Sequence, residues 1–250
     1  MTAKIKSLFG AQDMTVGNPI KQMIMFAIPL LLGNIAQLLY NTVDSIVVGQ
    51  FVGPDALSAT SVSMPIQFMF ATLFMTVGTG VSVMVAQYFG AKDKEKLSLT
   101  VGSSMILVLI TTLFATIVGI PLSGTVMRLM NVPQEVIEIG AVSYLRIMFA
   151  GMVGMGFYNI LGGILRGLGD STFPLFVLIG TTVLNIFLDI WMVPTPDKLF
   201  GIGLGWGVEG AAWATIISQT LSAFASGMAA ADAAATTVST SSFLLCIPVP

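Results

Sequence analysis

Residues 29–49 read PLLLGNIAQLLYNTVDSIVVG, and residues 182–189 read TVLNIFLD. Each is part of an apolar run long enough to cross a bilayer, and each is broken at helical spacing by polar side chains that end in an aspartate. Asn34, Gln37, Asn41 and Asp44 follow one another at intervals of three, four and three, which puts them on one helical face. Thr182, Asn185 and Asp189 repeat the device, and a third run adds Thr215, Ser218 or Gln219, and Ser222. Hydrocarbon satisfies none of these groups, so the three faces are expected to turn inward towards one another. An acid at the centre of a membrane helix costs about 2.5–3.5 kcal/mol on the insertion scale. Asp44 and Asp189 are therefore expected to face a protein interior or a wet cavity and to serve ions or protons there.

Composition agrees with an all-α membrane protein. The chain of 250 residues is 55% hydrophobic and 9% charged, and its mean hydropathy is +0.93. So few charges do not cover a soluble domain of this length. A net charge of −2 offers no basic surface for nucleic acid, and the single cysteine, Cys246, rules out an intramolecular disulfide. Without histidine the commonest metal ligand and general base is missing, and no resident cofactor is expected.

Six stretches suit transmembrane helices of about 20 residues: 20–51, 56–89, 97–121, 136–164, 173–194 and 206–226. Pro29 and Pro65 are expected to bend the first two. The N-terminus, with the expected cytoplasmic segment 1–18, and the second and fourth loops hold Lys4, Lys6 and Lys21, then Lys92, Lys94, Lys96 and Arg166. The positive-inside rule then puts both termini of this multi-pass chain on the cytoplasmic side, and the membrane expected is a bacterial or archaeal inner membrane. At 1.5 Å per residue, Asp44, Asp189 and Thr215 all fall roughly 8–13 Å below the outer surface, a depth at which they share one cavity.

Two carboxylates, an amide and a hydroxyl make a set of hard oxygen donors, suited to a small hard cation or a proton. Linking uptake of that ion to movement of a second solute is what an antiporter requires. Arg146, about ten residues into the fourth span, has two roles open to it, as a salt-bridge partner or as a side chain that snorkels outward. The glycines at 151, 154, 156, 162, 163 and 167 include a G-x-x-x-G pair, Gly163 and Gly167, and are expected to serve close helix packing. Sixteen methionines suit either an ordinary membrane core or an adaptable apolar pocket.

Beyond these physical readings, the run Pro29 to Gly49 followed by Gly53-Pro-Asp-Ala-Leu57 resembles the first span and turn of the multidrug and toxic compound extrusion (MATE) transporters. The stretches Ala86-Gln-Tyr-Phe-Gly-Ala-Lys-Asp93, Leu165-Arg-Gly-Leu-Gly-Asp-Ser-Thr-Phe-Pro174, Leu184-Asn-Ile-Phe-Leu-Asp189 and Gly207-Val-Glu-Gly-Ala-Ala-Trp-Ala-Thr215 are also similar, in the same order. The resemblance covers roughly residues 14–226. It implies one six-helix lobe of a twelve-helix transporter that exports cationic, amphipathic compounds against Na+ or H+. It further implies a cation site, able to take Na+, at Asp44, Asn185, Asp189 and Thr215, with Asn34, Gln37, Asn41, Thr182 and Ser218 lining the cavity. The partners implied are the lipid bilayer, a small cationic or amphipathic substrate, and either a missing second lobe or a second copy of this chain.

The lobe is expected to occupy 19–226. Residues 227–250, with Ala229 to Ala235 followed by a Ser/Thr run, resemble nothing in the family and are expected to form a disordered or artefactual tail, as a truncated or frame-shifted ending would. Three rival functions follow from the same residues. Gly167-Leu-Gly-Asp170 matches the G-x-G-D of intramembrane aspartyl proteases, but Asp170 is expected at the surface opposite the other two acids, so no catalytic dyad forms and no enzyme is expected. A lipid-linked oligosaccharide flippase of the same superfamily would need a basic cavity, whereas this one is acidic. A non-transporting remnant whose helices only pack would show no response to cations.

Overall fold

A computed structural model of the chain describes residues 19–198 and 203–237; the expected N-terminal segment 1–18 and residues 238–250 of the expected tail lie outside it. Among the described residues the secondary structure is helical throughout, with no strand. The first helix, α1, runs Pro19–Phe51 without interruption, with Pro29 inside it. The second span opens on a short helix, α2 (Pro54–Ser61), and continues as α3 (Met64–Gly90). Pro65 stands in the first turn of α3, where its missing N–H leaves no intrahelical bond unmade, so the break falls before the proline and not at a mid-helix bend.

Helix α4 spans Lys94–Leu129 and passes through Pro121, the residue at which its end was expected. Its start is capped by Asp93, whose carboxylate accepts a hydrogen bond from the Lys96 N–H at 3.1 Å. A helical turn, Gln134–Val136, and a π-helical turn, Ile137–Ala141, lead into α5 (Val142–Ala150). Gly140 sits inside the π turn at φ 123°, a conformation that needs glycine. After Gly151 the chain turns by 44° into α6, Met152–Gly167, so the fourth span is a broken one. Helix α7 covers Thr172–Met192 and α8 covers Gly207–Thr237.

By length and composition Pro54–Gly90, α4 and α7 are each able to cross a membrane, and the bent pair Gln134–Ala150 with α6 makes a fourth span. Helices α1 and α8, of 33 and 31 residues, are also long enough to cross a bilayer and complete the six-helix lobe. Large apolar side chains such as Leu31, Phe68, Phe114, Ile117, Phe187 and Phe224 are more than half exposed, as on a lipid-facing surface.

Helix α6 lies at the centre, packed on α3, α4 and α8. Its glycines explain how. A Cβ at Gly154 would come within 2.8 Å of the Thr220 hydroxyl of α8, one at Gly156 would overlap Thr112 of α4, and one at Gly167 would lie 2.6 Å from the Ser82 carbonyl oxygen of α3. The expected close helix approach is therefore made on three sides by one helix, with backbone against backbone where it meets α3.

Helix α8 continues past residue 226, the expected end of the lobe, to Thr237, and Ala230 is buried against Leu161, Ile164 and Leu165 of α6. Alanine runs look low in complexity, yet alanine is the best helix former and its methyl fits a tight seam.

Candidate functional site: paired carboxylates between three helices

Helix α1 joins the bundle mainly along α7, and α7 lies against α8. The buried ridge of α1 is Tyr40, Asp44, Val47 and Val48, at i, i+4, i+7 and i+8. On α7 the matching ridge is Asn185, Leu188, Asp189 and Met192, and on α8 it is Ala211, Ala214, Thr215, Ser218 and Ser222. Asp44, Asn185, Asp189, Thr215 and Ser218 thus turn inward, none with more than 8% of its surface exposed.

Their common depth is set by the connection between α7 and α8. Leu204 N–H donates to the Trp191 carbonyl at 2.9 Å, Gly205 N–H to Pro194, Trp206 N–H to Met192 and Gly207 N–H to Val193, which satisfies the carbonyls at the end of α7 and ties them to the start of α8. Gly205 and Gly207 adopt positive φ, 71° and 54°, to make the turn. Val52, just past α1, reaches to 3.7 Å of the Cβ position of Gly207, so the ends of α1 and α7 and the start of α8 meet at one end of the bundle. From that end Asp44, Asp189 and Thr215 lie about 10, 5 and 12 Å along their helices.

The two carboxyls lie within electrostatic reach of each other and of the buried phenols Tyr40 and Tyr144. The Tyr40 hydroxyl points towards Thr215 without closing a hydrogen bond, and Gln67 approaches Tyr144 while its own amide nitrogen stays unpartnered. One oxygen of Asp44, both of Asp189, both side-chain polar atoms of Asn185 and the hydroxyls of Thr182 and Ser218 are buried without a hydrogen-bond partner among the described residues. A neutral orphan of this kind costs about 1–3 kcal/mol and a charged one more, a cost that water, a proton or a cation between these groups would relieve. Among the described residues no three His, Cys, Asp or Glu side chains gather. The donors are thus two carboxylates with neutral oxygens, a set that fits Na+ and not a soft metal.

The remaining expected residues fall differently. Thr182 is half-buried beside this cluster. Asn34, Gln37 and Asn41, expected on the same inward face as Asp44, are exposed instead. Over its first half α1 is flanked by Leu175 and Leu178 of α7 at Gly33, and its polar side is left open. Asn41 lines an outward cleft of about 650 Å³ together with Leu38, Ser45, Gln50, Leu57 and Met64. Arg146 is exposed on α5, where its Nε donates to the Ser123 hydroxyl at 3.2 Å, so it partners neither acid. Two buried phenols near the acids, Tyr40 and Tyr144, and the half-buried Gln67 beside Tyr144 escaped the sequence reading. Tyr40 carries a signal, one turn before Asp44; Tyr144 and Gln67 arrive from α5 and α3 by tertiary packing alone.

A six-span helical bundle with two acids facing one another inside the membrane defines a polytopic transporter lobe. Comparison with known proteins makes this specific. The MatE family profile matches residues 29–191, and the chain belongs to the MatE family, whose members are transporters and not enzymes. It is 34% identical over 201 residues to "Probable multidrug resistance protein YoeA" of Bacillus subtilis, which covers 79% of this chain and 42% of the relative. It is 29% identical to "Probable multidrug resistance protein NorM" of Thermotoga maritima over 81% of this chain and 42% of that one. Among solved structures, an outward-facing multidrug resistance MATE family transporter of the MOP superfamily matches with a TM-score of 0.74 at 34% identity, over 83% of this chain and 44% of the other. A MOP superfamily transporter from Pyrococcus furiosus, described as having a binding pocket of reverse polarity, matches equally well. The chain spans less than half the length of these relatives.

Proposed function

We propose that this chain is the cation-binding lobe of a Na+- or H+-coupled exporter of cationic, amphipathic compounds, acting in an inner membrane with its termini on the cytoplasmic side and together with a second six-helix lobe or a second copy of itself. The lobe in this reading spans 19–226 and carries the continuation of α8 with it. The observation that carries the proposal is the pair Asp44 and Asp189, buried in the membrane region with three carboxylate oxygens unpartnered and, among the described residues, no basic side chain bonded to either. Two carboxylates in low dielectric repel one another strongly, so a shared proton or a bound Na+ relieves the site. Asn185 and Thr215 supply neutral oxygens to that ion, and Thr182 and Ser218 border it.

Coupling follows from competition and geometry. When the ion is bound, α1 is held against α7 through Asp44; when it leaves, the two charged carboxylates push α1 away, and α1 also forms the wall of the outward cleft. Asn41, Gln50 and Ser45 among Leu38, Leu57 and Met64 offer neutral hydrogen-bonding groups on an apolar lining, the chemistry an amphipathic cation meets in this lobe's share of the substrate cavity. An opened site admits substrate and a closed one expels it, with the ion gradient driving the cycle.

The test is transport in vesicles containing this lobe with a second lobe fused to it or present as a second copy. Uptake of a fluorescent cationic dye into inverted vesicles is expected to require an imposed Na+ or proton gradient and to vanish in Asp189→Asn. Dye movement that ignores both gradients, or that survives the substitution, would refute the proposal.

A further inference from the structure

Below Thr215, helix α8 carries serines at 218, 222 and 226, all at most 4% exposed. Successive steps of three, four and four residues keep Thr215 and the three serines within an arc of about 80° on α8. They extend about 16 Å along the helix axis, half the thickness of a hydrocarbon core. The face they form meets α7, where the Ser222 hydroxyl donates to the Thr181 hydroxyl at 2.8 Å. Asn185 and Thr182 follow Asp189 down the same side of α7.

Three of these hydroxyls, on Thr182, Ser218 and Ser226, behave unlike most others in the bundle. Many serines and threonines in these helices donate to the carbonyl of the residue four before: Thr42 to Leu38 at 2.8 Å, Ser104 to Thr100 at 2.6 Å and Thr112 to Val108 at 2.7 Å. That internal bond is the ordinary way in which a hydroxyl survives in an apolar environment. Thr182, Ser218 and Ser226 do not make it, and their oxygens are buried with no partner among the described residues. Ser222 and Thr181 are engaged, Ser222 with the Thr181 hydroxyl and the Ser218 carbonyl at 3.0 Å and Thr181 with the Val177 carbonyl at 2.8 Å. Buried hydroxyls left open in a row are the lining that single-file water or a partly dehydrated cation uses. Beyond Ser226 the same helix presents Ala229, Ala230 and Ala233, whose methyl groups are the smallest side chains available short of glycine.

We propose that Ser218, Ser222 and Ser226 of α8, with Thr182 and Thr181 of α7, form an exchange path. Through it the coupling ion, a proton moved along water and hydroxyls or a Na+, passes between the Asp44–Asp189 pair and the end of the bundle where α7 begins and α8 terminates. The proposal rests on the carboxylate pair being the coupling site. It gives that site an entrance separate from the substrate cleft along α1, so the ion and the exported compound need not share a route.

The test is thiol accessibility in a Cys246→Ser background of the full chain in vesicles. Ser218→Cys, Ser222→Cys and Ser226→Cys are exposed to Ag+, a thiol reagent of Na+ size, from each side in turn. The free thiols left are counted after denaturation. Leu221→Cys and Phe224→Cys, on the lipid-facing side of the same helix, serve as controls. The path predicts that the three file positions react at least about tenfold faster than the controls, since only a hydrated thiol ionises to attack, and that they do so from the α8 C-terminal side. File positions as slow as the controls, or reacting only from the end where α8 begins, overturn it. Thermal stabilisation by Na+ or by lowered pH is measured on the same variants. A silent file in protein that still shows this response removes the path and leaves the carboxylate site standing; loss of the response in unsubstituted chain removes the site itself and the path with it.

Discussion

Replacing Gly78 by alanine should loosen the bundle at its centre, and the expected cost follows from the geometry. A Cβ at Gly78 would lie 2.7 Å from the Asn159 carbonyl oxygen and 3.2 Å from its carbon, whereas ordinary contact begins at 3.4 Å. The obstructing atoms are backbone within α6, so no side chain can rotate aside. Helices α3 and α6 must part by about 0.7 Å along a seam where Gly163 and Gly167 also depend on close approach. Overpacking of this kind costs about 1–3 kcal/mol, partly offset by alanine's better helix propensity of about 1 kcal/mol. A net loss of up to about 2 kcal/mol is expected. The assay is the midpoint of heat-induced loss of the monodisperse peak in size-exclusion chromatography, in one detergent throughout. Gly80→Ala and Gly124→Ala, whose Cβ positions meet nothing within 4 Å, are the controls and should match or slightly exceed the unsubstituted chain. A Gly78→Ala midpoint equal to that of Gly80→Ala would refute the account of the seam.

Other outcomes follow from the same structure. Asp93 caps α4, and the Lys96 N–H and ammonium hold its carboxyl below the ordinary carboxylate value. Its contribution is present above pH 4 or so and is lost as pH falls through the lower folded value, so Asp93→Ala should lower the thermal midpoint at pH 7 and converge with the unsubstituted chain in acid. Convergence at no pH would discount the cap. Arg146→Gln breaks only the bond to Ser123, and the dependence of stability on Na+ should be unchanged in titrations of that variant; an altered midpoint concentration would place Arg146 within the electrostatics of the site.

Much of this site could be read from the spacing of a few polar residues. The intervals in Asn185 and Asp189, and the depth shared by Asp44, Asp189 and Thr215, follow from helix geometry once a membrane is assumed, because hydrocarbon forces polar faces inward. The same rule failed for Asn34, Gln37 and Asn41. A helix at the margin of a lobe has a side that meets neither core nor lipid alone, and periodicity does not distinguish an interior from an open cleft. Tyr144 and Gln67 were invisible for another reason: their nearness to the acids depends on how the broken fourth span lies against α3, which no local pattern encodes. The bend at Gly151 belongs with them. A Cβ there would overlap Ile216 of α8, so the bend lies at a tertiary contact that only glycine admits. Residues 227–237 show composition misleading in the opposite sense, since an alanine-rich stretch with little sequence variety is also a good helix with a narrow packing face.

The most direct measurement is the thermal midpoint of the purified chain as a function of Na+ concentration and pH, for the unsubstituted protein, Asp44→Asn and Asp189→Asn. The unsubstituted chain should gain stability as Na+ rises or pH falls, because either one fills the gap between the two buried carboxylates. Each variant should start from a different baseline and lose most of that response. Three superimposable curves would show that Asp44 and Asp189 are packed polar residues and do not form an ion site.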